Sequence, residues 1–146
     1  MKKFFYRLIW WLYITALFVF IVVKFNGSLS DLLARRELYS ESLISSYNLK
    51  PFVSIGWMIK YLDQPFAQAN LFGNILPFIP FGFLLPTAFE KYRSFFKVFF
   101  PGLFSILFIE LFQLFSKLGS FDVDDIILNM ISIVLGYIVY AVFKRR

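Results

Sequence analysis

Cysteine and histidine are both absent from this chain of 146 residues. The first absence excludes disulfides, thiolate nucleophiles and cysteine-based zinc sites, and the second excludes imidazole acid–base catalysis. Any chemistry falls to carboxylates, hydroxyls, amides and cations. No cofactor is expected on that footing, and a divalent cation held by oxygen ligands is the one metal chemistry the composition favours. Charge is scarce too: 16% of the residues are charged, against 60% hydrophobic and 23% aromatic. A soluble domain of this length cannot bury so much apolar surface, so lipid must cover part of it.

The charges that are present sit in short clusters between long apolar runs, whereas a soluble helix would interleave them along one face. The net charge of +6 does not point to nucleic acid, because Lys and Arg flank apolar segments and form no basic face interleaved with aromatics. Four runs approach the ~20 residues that cross a bilayer, at 4–23, 70–89, 98–116 and 126–143. The first has Lys2 and Lys3 ahead of it, as a signal peptide would, but no small-x-small pair precedes Lys24. It reads as an uncleaved helix, with Arg7 snorkelling to the interface. Lys2, Lys3 and Arg7, then Lys91, Arg93 and Lys97, then Lys144, Arg145 and Arg146 all fall on one side if the spans alternate. Retention of basic residues in the cytoplasm predicts that both termini lie there. The expected architecture is an all-α integral membrane protein, a bundle of four transmembrane helices with an extracytoplasmic segment between helices 1 and 2. Within that segment residues 48–62 are amphipathic enough for a helix at the membrane surface, with a loop packed on a partner as the alternative.

Polar residues inside spans are costly and therefore informative. Asn70, Gly73, Asn74 and Pro77 share one face of span 2, where Pro77 and Pro80 should kink the helix. Glu110 and Gln113 share a face of span 3, with Lys117 just beyond. Asp122, Asp124 and Asp125 open span 4, and Asp125, Asn129, Ser132 and Gly136 form a polar and small stripe down it. Helix capping by the aspartates and packing by the small residues would account for part of this. Asn74 near the start of span 2, Glu110 and Gln113 near the end of span 3, and Asp122, Asp125 and Asn129 at the start of span 4 all lie toward the extracytoplasmic side. That common depth predicts one outward-facing polar pocket made of those six residues.

The order of these motifs resembles the VanZ family of bacterial envelope proteins. Asn48-Leu49-Lys50-Pro51-Phe52 is similar to an N-L-x-P-F element after the first span. Gly73-Asn74 through Pro77, Pro80, Gly82 and Pro86 is similar to a G-N…P-x-G-F-L-L-P stretch. Glu110-Leu111-Phe112-Gln113 matches E-x-x-Q, and Phe121 to Asp125 followed by Asn129 and Gly136-Tyr137 matches F-D-x-D-D…N…G-Y. The chain departs from the family where a loop Arg is usual, at Lys117 to Ser120, and where Gly is usual, at Ser132. The resemblance covers roughly residues 8–143, nearly the whole of a chain that reads as a single membrane domain, 1–146. It implies a multi-pass protein of the bacterial cytoplasmic membrane, of a type tied to low-level teicoplanin resistance, without implying a mechanism.

Two functions compete at this stage. The pocket could bind a lipid-linked envelope component, a glycopeptide or lipoglycopeptide antibiotic, or a membrane protein partner, because amides and carboxylates suit sugars and amide-rich ligands. Alternatively, an intramembrane enzyme could act on a lipid headgroup or lipid-linked sugar, with Glu110 as base and Asp122 and Asp125 on a divalent cation. No catalytic or metal-ligating residue is assigned from the sequence, and no nucleophile-plus-base pair stands out in it.

Overall fold

A computed structural model describes residues 2–22 and 47–144; the first half of the expected extracytoplasmic segment and the terminal Arg145 and Arg146 lie outside them. Among the described residues four helices are long and apolar enough to cross a membrane, with windows at Lys3–Phe20, Pro65–Ala88, Phe95–Ser116 and Val123–Lys144. The chain is an all-α membrane protein. Only 33% of each of spans 2, 3 and 4 is buried, and 11% of span 1. Large apolar side chains such as Phe104, Phe108 and Phe115 point outward, which water would penalise and lipid does not.

Span 2 begins earlier than the apolar run suggests, because Pro65 occupies the first helical position, where a missing N–H costs nothing. Its ladder tightens into a 3-10 turn at Leu76–Phe78, where Pro77 and Pro80 withhold two donors. Tyr13 of span 1 donates a hydrogen bond of 2.7 Å to the Pro77 carbonyl there. Trp10 packs edge-on against Phe81 and Phe89, with centroids 5.1 Å and 6.2 Å away. Span 1 thus leans on the second half of span 2. It closes with a π turn at Phe18–Val22, where the Phe18 ring meets Phe112 of span 3 at 6.0 Å.

Spans 2 and 4 touch backbone to backbone. A Cβ on Gly82 would fall 2.0 Å from the Ile133 carbonyl oxygen, and one on Gly136 would fall 2.0 Å from that of Ile79. These reciprocal glycines make the closest helix crossing described here, as small residues do in membrane bundles. Buried Ser132, Ile133 and Tyr140 continue the same face of span 4, and Ser132 returns its hydroxyl to the Leu128 carbonyl at 2.8 Å.

At one end of the bundle Lys3 and Arg93 both pair with Glu90, at 3.0 Å and 3.2 Å. The hydrogen bond from Lys3, then its charge, then that of Arg93 hold the Glu90 carboxyl below the usual carboxylate range. A lowered folded value means this tie is present above the ordinary carboxylate pKa and is lost as pH falls through the folded one. The pairing places the N-terminus and the link between spans 2 and 3 at the same end. Tyr137 of span 4 joins them through a 3.0 Å bond to the Arg93 carbonyl.

Gly136→Ala should cost at least the ~1–3 kcal/mol of core overpacking, since a backbone oxygen cannot swing aside. Gly73→Ala should be neutral or stabilising by up to ~1 kcal/mol, because nothing lies within 4 Å of the added carbon. Thermal unfolding of both variants in detergent separates the two outcomes.

Candidate functional site

The opposite end is built on two short segments about 70 positions apart. Tyr47 and Asn48 pair in parallel with Phe121 and Asp122, so the N-L-x-P-F element lies directly against the F-D-x-D-D element. After it the chain turns into a helix at Val53–Lys60. Met58 of that helix is buried, while the apolar Val53, Trp57 and Ile59 are exposed.

Asp124 is wholly buried, with 0% of its surface exposed. Its carboxylate accepts the backbone N–H of Phe52 at 2.6 Å and of Ile55 at 3.0 Å. Those are donors at the start of the Val53–Lys60 helix, which no side chain of its own caps. An anion from span 4 therefore caps a helix in another segment, where unpaired N–H groups and the helix dipole both favour it. Phe52 holds a positive φ of 67°, an uncommon conformation for a bulky residue, and the bond from its N–H to Asp124 secures it.

Asp122 caps span 4 itself. One oxygen accepts the Asp124 N–H at 2.9 Å and the Asn48 side-chain amide at 3.2 Å; the other accepts the hydroxyl of Ser54. Asn48 also donates to the Ser54 oxygen at 3.2 Å and accepts the Lys50 N–H at 3.1 Å. The Asp122 N–H in turn donates to Glu110 Oε2 at 3.2 Å, so the carboxylate of span 3 reaches the first turn of span 4. Glu110 and Gln113 are 2% and 1% exposed and face the bundle. Span 3 ends at Lys117 in a left-handed cap, with the N–H groups of Leu118 and Gly119 both returning to the Gln113 carbonyl. That turn aims the following residues back toward Glu110.

The third aspartate turns the other way. Asp125 accepts a hydrogen bond of 2.5 Å from the Asn74 amide of span 2. Of the face proposed on span 2, Asn74 alone is drawn in: Asn70 is exposed and returns its amide to the Phe66 carbonyl. Asn129, one turn below Asp125, is 2% exposed, and its Oδ1 has no hydrogen-bond partner. A buried acceptor left open in this way is uncommon.

Of the six residues expected to line a pocket, Asn74 pairs with Asp125, Glu110 accepts the Asp122 N–H, and Asn129 lies one turn below Asp125. Gln113 packs under Gly119, whose added carbon would meet its side chain at 3.4 Å. Sequence reasoning missed Asn48, Ser54 and the central place of Asp124. The signal was present in the two motifs, but nothing in either indicates that one docks on the other. Among the described residues no group of three or more acidic side chains is arranged to hold a metal ion.

The chain matches the VanZ/LLP1 family over residues 10–144. It is 30% identical over 101 residues to Protein VanZ of Enterococcus faecium, an alignment that covers 69% of this chain and 56% of that protein. The chain thus spans little more than half the length of this relative. No solved structure matches it.

Asp124→Ala would leave the Phe52 and Ile55 N–H groups without their acceptor, at ~1–3 kcal/mol each. The expected outcome is faster amide exchange across residues 52–60 with spans 2 and 4 still protected. Hydrogen–deuterium exchange in detergent reads both regions at once.

Proposed function

Because this chain belongs to the VanZ/LLP1 family, we propose that it works in the bacterial cytoplasmic membrane and binds an envelope ligand at the network end of its bundle, lowering glycopeptide susceptibility. The ligand class is a lipid-linked cell-wall component or a lipoglycopeptide, which offers amide and hydroxyl donors beside an apolar tail. Convergence carries the reading: carboxylates from two spans and the open acceptor of Asn129 meet at one end. Packing needs alone would scatter such groups along the spans. The other end holds Lys3, Lys91 and Arg93 around Glu90, and retention of positive charge puts it in the cytoplasm. The network then faces outward, and the Val53–Lys60 helix lies among the lipid headgroups with its exposed Trp57 as an interfacial anchor.

A second reading rests on Ser54, whose hydroxyl donates to Asp122 while accepting from Asn48. A hydroxyl on a carboxylate is the start of a nucleophile-plus-base pair, so an enzyme acting on a lipid headgroup or lipid-linked sugar would use it. Binding is the better account, because Asp122 already caps span 4 and receives three hydrogen bonds.

Glu110→Gln and Asp125→Asn should each abolish the resistance phenotype while membrane levels stay normal, measured as lipoglycopeptide susceptibility in a host lacking the gene. Full activity of both at equal expression would leave the network a scaffold only. Ser54→Ala should retain the phenotype, and its loss at normal membrane levels would favour the enzyme. Reporter fusions after Lys97 should be cytoplasmic and fusions at Gly119 exported; the reverse pattern would turn the network inward and remove the envelope ligand.

A further inference from the structure

Three cavities run in file along span 1 from its basic end. The first, about 350 Å³, is framed by Lys3, Arg7, Lys91 and Arg93 around Glu90. Four cations against one carboxylate leave this cavity a surplus of three positive charges. The second, about 390 Å³, shares Phe89 and Lys91 with the first and is walled by Trp10, Trp11, Phe81 and Leu85. The third, also about 390 Å³, shares Ile14, Phe81 and Ser105 with the second and runs on to Leu17 and Ile109. The series exists because span 1 leans on span 2 and meets span 3 chiefly through its closing π turn. A wedge stays open between spans 1 and 3 toward the basic end.

Polarity falls along the series. Cations line the mouth, aromatic rings follow, and aliphatic and phenylalanine side chains close it. From Arg7 to Phe18 a helix rises by ~16 Å, close to half of the ~30 Å hydrocarbon core. One acyl chain crosses one leaflet over that depth. Two of the cations are steadied on rings, Arg7 over Phe89 at 5.6 Å and Lys91 over Tyr92 at 4.9 Å, so they stand at the mouth and are not drawn wholly onto Glu90. We propose that this wedge is a binding site for an anionic phospholipid, with its phosphate among Lys3, Arg7, Lys91 and Arg93 and one acyl chain in the groove beside Trp10 and Trp11. A basic pocket between transmembrane helices selects such headgroups over zwitterionic ones by charge. The site is separate from the network at the other end and does not depend on the ligand bound there.

Trp10 and Trp11 supply the readout. In nanodiscs of phosphatidylcholine, with Trp57→Phe removing the tryptophan at the far end, brominated phosphatidylglycerol should quench at several-fold lower mole fraction than brominated phosphatidylcholine. Lys91→Gln should reduce that preference about fivefold, and Lys91→Gln with Arg7→Gln should abolish it. Lys91 is exposed, so the single variant keeps its fold and the test stands even if the double variant does not. Lys97→Gln, an exposed cation at the same end that lines none of the three cavities, should leave the preference intact. Equal quenching by both lipids in the unsubstituted wedge, an unchanged preference in Lys91→Gln, or an equal loss in Lys97→Gln would each overturn the assignment.

Discussion

A carboxylate with no exposed surface must find donors to replace the water it has lost, and Asp124 finds them in the backbone of a separate segment. An unpaired buried charge would cost several kcal/mol. Among the described residues, Asp124 offsets that cost through the Val53–Lys60 helix, and that helix finds its N-terminal anion in Asp124. The dependence is mutual, so the end of the bundle forms as one unit. Asp122 extends it by capping span 4 and gripping Asn48 and Ser54, and Glu110 extends it to span 3 through the Asp122 N–H.

That unit can form only if span 4 stands in the right place, and the reciprocal contact of Gly82 and Gly136 sets it. With glycines at the crossing, the backbones approach closely enough for Asn74, about two helical turns from Gly82, to reach Asp125, about three turns from Gly136. Small residues in the middle and polar residues at the end therefore do different work on one helix face. The stripe from Asp125 through Asn129 and Ser132 to Gly136 begins as a hydrogen-bonding surface and ends as a packing surface.

Much of this was legible in the residues. The four apolar runs correspond to the four helices long and apolar enough to cross a membrane. Pro77 and Pro80 pointed to a kink in span 2, where the helix tightens into a 3-10 turn at Leu76–Phe78, whereas Pro65 at the first helical position starts the helix ahead of the apolar run, because proline suits that position whatever the hydropathy. What stayed hidden was long-range. Helical spacing reports which residues share a face of one helix, but it is silent on docking between segments far apart in the chain. Asn48 and Ser54 therefore looked like parts of a surface segment, and Asp124 like a helix-starting acid.

The hydrogen-bond inventory also sorts the network by task. Asp122 and Asp124 each use both oxygens on donors that hold the fold together, so a ligand would have to displace structure to reach them. Asn129 Oδ1 is the buried acceptor that the described structure leaves open, one turn below Asp125 and on the face that carries Ser132. A donor arriving there would satisfy an atom whose isolation carries a free-energy cost of ~1–3 kcal/mol. Were the proposed ligand to bind at that depth, it would draw on a deficit already built into the folded state.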